Sequence, residues 1–172
     1  MKRLFAIAAA LMLCGVVSAQ NRWAIQPDGK TIRMEVSKEK LPHSDHVEMS
    51  GKMMATVLYW GVDEQARFTV DRSLVFPMLR TVPNNTHASL MIRQGLDVVS
   101  QLRINNNNRL FFRTKYVELN GLMRVVEEHR ASTYGLEVER VIFPTMEQQM
   151  MCEHYVLRNT GTIAYALQIP EL

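Results

Sequence analysis

Cysteine is all but missing from this chain. Cys14 and Cys152 are the only two in 172 residues, and Cys14 falls inside an N-terminal segment that reads as a removable leader. A mature chain with one thiol cannot close an intrachain disulfide, so apolar burial has to carry stability alone. Long hydrophobic runs are missing too. No segment beyond the leader approaches the roughly 20 apolar residues of a membrane helix. No Lys/Arg cluster with interleaved aromatics occurs, which removes the electrostatic footprint of a nucleic-acid partner. HExxH, CxxC, a phosphate loop and a nucleophile elbow are all lacking, and with them the usual sequence support for an autonomous enzyme.

What is present begins with Met1 to Ala19: Lys2 and Arg3, an apolar run to Val17, then Val17-Ser18-Ala19. A positive start, a short apolar middle and small residues before a cut are the signature of a secretory signal peptide. The mature chain is expected to start near Gln20 and to work in the periplasm or outside the cell. Leu13, standing before Cys14, argues against a lipid anchor, which needs a small residue there. With Lys2 and Arg3 gone, the 20 basic residues become 18 against 17 acidic ones, leaving +1 of the formal +3. The mature chain is expected to insert stably in no membrane. About 150 residues suffice for one domain that buries roughly 70% of its unfolded surface.

Along residues 20–172 apolar and polar residues alternate with the period of two that marks half-buried strands. Ile32, Met34 and Val36 alternate with Arg33 and Glu35; Ala66, Phe68 and Val70 with Arg67 and Thr69; Leu136 and Val138 with Glu137 and Glu139; and Ile163, Tyr165, Leu167 and Ile169 with Ala164, Ala166 and Gln168. Asn120-Gly121 predicts a type I′ hairpin with Leu119 facing Leu122 and Tyr116 facing Val125. Apolar residues fall on both faces of that hairpin, as in a central strand pair. Asn159-Thr160-Gly161 predicts a second hairpin and Pro27-Asp28-Gly29 a tight turn. Residues 87–102 could be helical, but a glycine inside a helix costs about 1 kcal/mol, and Gly95 favours strand. The expected class is all-β, an antiparallel two-sheet β-sandwich.

Candidate chemistry is sparse. His43, Asp45, His46 and Glu48 include metal-ligand types, yet on a strand His46 and Glu48 share one face and Asp45 the other, so no metal site is expected. Glu127, Glu128 and His129 read as a solvated edge. Glu118, Glu137, Glu139 and Glu147 read for the most part as a charged outer face. Cys152 reads as a small buried residue, and the ten methionines left after the leader as flexible core filler rather than a soft-metal site. No cofactor is expected. Trp23, Tyr59 and Trp60 could stack on sugar rings, and because neighbours on a strand point oppositely, one of Tyr59 and Trp60 should be exposed.

Three segments carry a resemblance: LPHSDHVEMSG at 41–51, DRSLVFPMLRTVPNNTHASL at 71–90, and the closing MMCEHYVLRNTGTIAYALQIPEL. They resemble the N-terminal β-sandwich domain of secreted Bacteroidetes-type six-hairpin glycosidases, in which a super-sandwich-like β-sandwich precedes a catalytic (α/α)6 barrel. The resemblance implies a non-catalytic module of a glycoside hydrolase, with catalytic acids in a barrel that this chain lacks, so that the chain is a possible fragment. It implies a glycan or the barrel as partner. A stand-alone secreted glycan-binding or envelope protein is the alternative. The residues expected at a pocket rim or on a glycan are Asp45, His46, Glu48, Trp60, Asn84, Asn85 and His87.

Overall fold

The computed structural model describes residues 22–80, 89–105, 108–131 and 134–169. The leader at 1–19 and the candidates Asn84, Asn85 and His87 lie outside the described residues. The fold is all-β and its sheets are antiparallel, with no α-helix among the described residues. A six-stranded sheet is built from β1 (Ala24–Ile25), β2 (Ile32–Glu35), β9 (Arg113–Leu119), β10 (Met123–Arg130), β11 (Gly135–Pro144) and β12 (Met151–Asn159), in that spatial order. Between β2 and β9 the chain lays down a four-stranded meander of β3 (His43–Ser50), β4 (Ala55–Val62), β5 (Phe68–Arg80) and β6 (Ser89–Gln94). Three short strands, β7 (Arg103–Ile104), β8 (Asn108–Arg109) and β13 (Leu167–Gln168), make a third sheet.

Two hydrophobic cores lie on the inner side of the large sheet. The first joins Met34, Val117, Met123, Val125 and Ile142 to Met49, Leu58, Trp60, Val62, Phe68 and Val70 of the meander. The second joins Leu136 and Val138 to Val99, Leu102, Ile104, Leu110 and Phe112. Each fully buried aliphatic side chain contributes about 1.5–3 kcal/mol relative to exposure. One strand serves both cores, because alternate residues of β11 share a face. Leu136 and Val138 enter the second core and Ile142 the first, with Arg140 between them.

Several sequence expectations hold. Pro27-Asp28-Gly29 forms a tight turn in which Asp28 Oδ1 accepts the Lys30 and Thr31 amides at 3.0 and 2.9 Å. β9 and β10 are central strands. In residues 89–102 a strand ending at Gln94 precedes Gly95, and a 3-10 turn follows at Val99–Gln101. Glu118, Glu137 and Glu139 stand on the outer face, laced to Arg33, Arg124, Lys115 and Arg158. That face is already satisfied in charge.

Other expectations fail for physical reasons. The Asn120-Gly121 hairpin is not type I′: Gly121 has φ +66°, Asn120 stays out of the left-handed region, and the loop takes three residues. The register therefore moves by one, with Leu119 opposite Met123 and Tyr116 opposite Val126. Ala66 is not in a strand but sits at φ 62° in a turn whose amides bond Asp63. The final alternating segment is a strand only at Leu167–Gln168, which pairs with β7 instead of folding back on β12. There Tyr165 donates its hydroxyl to the Gly135 carbonyl at 2.8 Å and meets Tyr134 edge to face. Closing the second core wins over extending the sheet edge. Cys152 is half-buried on β12 opposite Phe143, rather than fully inside.

Candidate functional site

The seam between the two cores is charged. Arg140 is fully buried and donates from Nε and Nη2 to Glu127 Oε2 at 3.0 and 2.7 Å, and from Nη1 to Asp97 Oδ1 at 2.8 Å. Its guanidinium carbon also lies 5.0 Å from the centre of the Phe68 ring, a cation–π contact. A second arginine, Arg72 of β5, pairs with Glu153 of β12, which also accepts the Tyr155 hydroxyl. Arg72 Nη1 donates to the Leu96 carbonyl at 2.7 Å and to Val70 at 3.3 Å. A buried guanidinium is tolerated only when its donors find partners, and these two arginines find them across four strands and the 96–97 segment.

Glu127 was expected on a solvated edge and is instead only 2% exposed. Strand parity is the reason: Glu127 stands two residues from Val125 and four from Met123 on β10 and shares their inward face. Beside it the register of β9 shifts, so that the buried Thr114 rather than Lys115 faces Glu127. Lys115 is left on the outer side with Glu137. Burial pushes the Glu127 carboxyl above its ordinary value of 4.5, against the pull of Arg140. Burial opposes the charge on Arg140 as well, but Glu127 and Asp97 more than offset it and hold the guanidinium protonated.

A pH dependence follows from Glu127. The folded protein holds the Glu127 proton more tightly than the unfolded chain does. Its contribution to stability is therefore full below pH 4.5 and is lost as pH rises through the folded value. In urea unfolding at a series of pH values, the stability of the wild type relative to Glu127→Gln should decline as pH rises from that point. A relative stability that grows instead contradicts the assignment.

Beside the seam opens a cleft of about 520 Å³. It exists because β6 stops pairing at Gln94 opposite Arg72, which leaves the stretch of β5 from Phe68 to Asp71 with an open edge. Residues of 97–100 and 110–112 line it as well, together with Asp63, Arg67 and Glu127. Asp63 is held by Arg67 at 2.7 Å, and although burial opposes it, the amide and guanidinium of Arg67 keep this carboxyl below its usual range. Phe111 and Phe112 are neighbours on extended chain. Phe112 enters the second core while Phe111 is 64% exposed at the cleft. His129 fixes that segment, its Nδ1 lying 2.9 Å from the Phe111 carbonyl and its ring edge-on to Phe112.

The sequence candidates distribute unevenly. Tyr59 and Trp60 split as strand geometry requires: Tyr59 is 50% exposed and borders the cleft, whereas Trp60 is 3% exposed. Trp60 stacks on Phe68 and meets Trp23 and His43 edge-on. A ring enclosed in this way has no free face for a sugar, so Trp60 is a core residue. His46 stacks on Tyr59 at 6.0 Å between centroids and so reaches the same neighbourhood. Asp45 bonds the His46 amide at 2.8 Å, and Glu48 lies farther along β3 opposite Val57. Asp45 is on the other face of β3 from His46 and Glu48, and among the described residues no group of three His, Cys, Asp or Glu is placed to hold a metal. Sequence reasoning missed Asp63, Asp71, Asp97, Phe111 and Arg140. The adjacent Phe111 and Phe112 carried the same signal as Tyr59 and Trp60.

No family model, curated protein or solved structure matches this chain. No helix among the described residues is long and apolar enough to cross a membrane.

Proposed function

We propose that the chain is a non-catalytic β-sandwich module of a secreted glycoside hydrolase, exported by its first 19 residues and bracing a catalytic (α/α)6 barrel. The observation that carries the non-catalytic part is the shared guanidinium of Arg140. A glycosidase pair brackets the scissile bond from two sides, one group giving a proton and the other attacking or activating water. Asp97 and Glu127 instead hang on one arginine, and Asp63 is tied to Arg67. These carboxylates hold the sandwich together. The barrel enters through the resemblance of residues 41–51, 71–90 and 150–172, and Met91, Ile92 and Leu96 on and after β6 are exposed apolar side chains that such a partner could cover.

The test is twofold. Purified protein should release no product from a panel of aryl glycosides, and it should co-elute with a six-hairpin barrel expressed without its own sandwich. Turnover that disappears in Glu127→Gln would overturn the non-catalytic reading, and failure to associate would remove the bracing role. A stand-alone glycan-binding protein is the second reading, favoured by the exposed Tyr59 and Phe111 at the cleft.

A further inference from the structure

We infer that the cleft lined by the open edge of β5 and by residues of 97–100 and 110–112 is a binding site for a neutral saccharide, with Tyr59 and Phe111 as ring platforms and Asp71 and Glu127 as hydroxyl acceptors. This assignment rests on the module reading above and gives that module a ligand site of its own.

Four observations converge on it. The cavity, about 520 Å³, falls in the range of small-molecule sites. Two aromatic side chains remain exposed at its border although each has a buried aromatic neighbour in sequence. Flat apolar rings with a wet edge suit the C–H face of a sugar. Both bonds from Arg140 to Glu127 fall on Oε2, and Oε1 has no partner among the described residues. Glu127 lines the cleft, and an oxygen there that takes no bond from Arg140 can accept from a sugar hydroxyl. Asp71 lines the cleft with no ion pair among the described residues, and Gly95 keeps the space beside it open, since a Cβ there would stand 3.3 Å from Asp71 Oδ1.

Charge narrows the ligand. Asp63, Asp71, Asp97 and Glu127 line the cleft against Arg67, with Arg140 buried behind, so the lining is net negative. Uronate, sulfated and phosphorylated glycans are repelled there. A polyhydroxylated ligand without charge donates to the carboxylates and loses nothing to that field.

The experiment is an amide chemical-shift titration of the purified chain with neutral trisaccharides of glucose, xylose, mannose, galactose and arabinose, and with trigalacturonate as the anionic arm. At least one neutral trisaccharide should move the amides of 59, 68–71, 95–100 and 110–112, and trigalacturonate should move none of them. Tyr59→Ala and Phe111→Ala should each weaken binding about tenfold with an unchanged circular dichroism spectrum. Asp71→Asn, which leaves the core untouched, should weaken it severalfold. The inference is overturned if no neutral trisaccharide shifts these amides, if the shifts cluster elsewhere, if the variants bind as the wild type does, or if trigalacturonate binds equally well. Absence of binding with barrel association intact sinks only this site. Hydrolysis of the probe sinks the module reading instead.

Discussion

Arg140→Ala is expected to cost about 3–5 kcal/mol, because it leaves the Glu127 carboxyl, almost wholly buried, without its cation. Asp97, nearer the surface, can turn to water, and Glu127 has far less room to do so. Most single domains have only about 5–15 kcal/mol of total stability, so this one change should bring the protein close to unfolding at room temperature. The companion variant separates the loss of a partner from the loss of the pair. Glu127→Leu with Arg140→Met removes both charges at similar volume, and buried pairs replaced in this way are often neutral or stabilising by about 1–4 kcal/mol. Urea unfolding should therefore rank the double variant at or above the wild type and far above Arg140→Ala. If Arg140→Ala were within about 0.5 kcal/mol of the wild type, a typical surface effect, the guanidinium would not be holding the seam.

Trp60→Ala should cost about 3–5 kcal/mol, the usual range for deleting a core tryptophan, whereas Tyr59→Ala should stay within about 0.5 kcal/mol. The two residues are adjacent on β4 and their exposure differs more than tenfold. Trp60 is enclosed by Trp23, His43 and Phe68, so its loss opens a cavity that three rings cannot fill together. Melting temperatures of the two variants check the contrast. A small effect at Trp60 would mean that the first core closes without it and would return that residue to the list of sugar-facing candidates.

Much of the fold was legible because its signals are local. Met34 inward with Arg33 and Glu35 outward, Leu136 and Val138 inward with Glu137 and Glu139 outward, and the split of Tyr59 and Trp60 all follow from the period-two pleat. Turn chemistry was legible in kind but not in register. Asn120-Gly121 marks a turn, yet whether one residue or two take positive φ depends on the neighbours, and here Asn120 bonds Thr31 across the sheet at 2.9 Å instead. The C-terminal alternation misled because periodicity cannot tell which surface a segment will cover. Tyr165 and Leu167 pack against the second core.

The site was legible only in part, and the reason is topological. Asp71, Asp97 and Glu127 come from separate stretches of chain and meet at the cleft left where β6 ends. The point at which a strand stops pairing has no sequence signature that pattern reasoning can read. Arg140 was the exception. It occupies the inward parity of β11 between Val138 and Ile142, where a charged residue breaks an apolar series, and such a break points to a buried partner. Glu127 sits one strand over, close to its position in the register.

The most direct test of the whole account is one proton spectrum followed over time. Incubate the purified chain with the neutral trisaccharide that shifts the cleft amides, and monitor those amides together with the anomeric protons of the sugar. The account predicts displaced amides at 59, 68–71 and 110–112 and constant anomeric intensities. New reducing-end signals, growing with time and absent from Glu127→Gln, would contradict it.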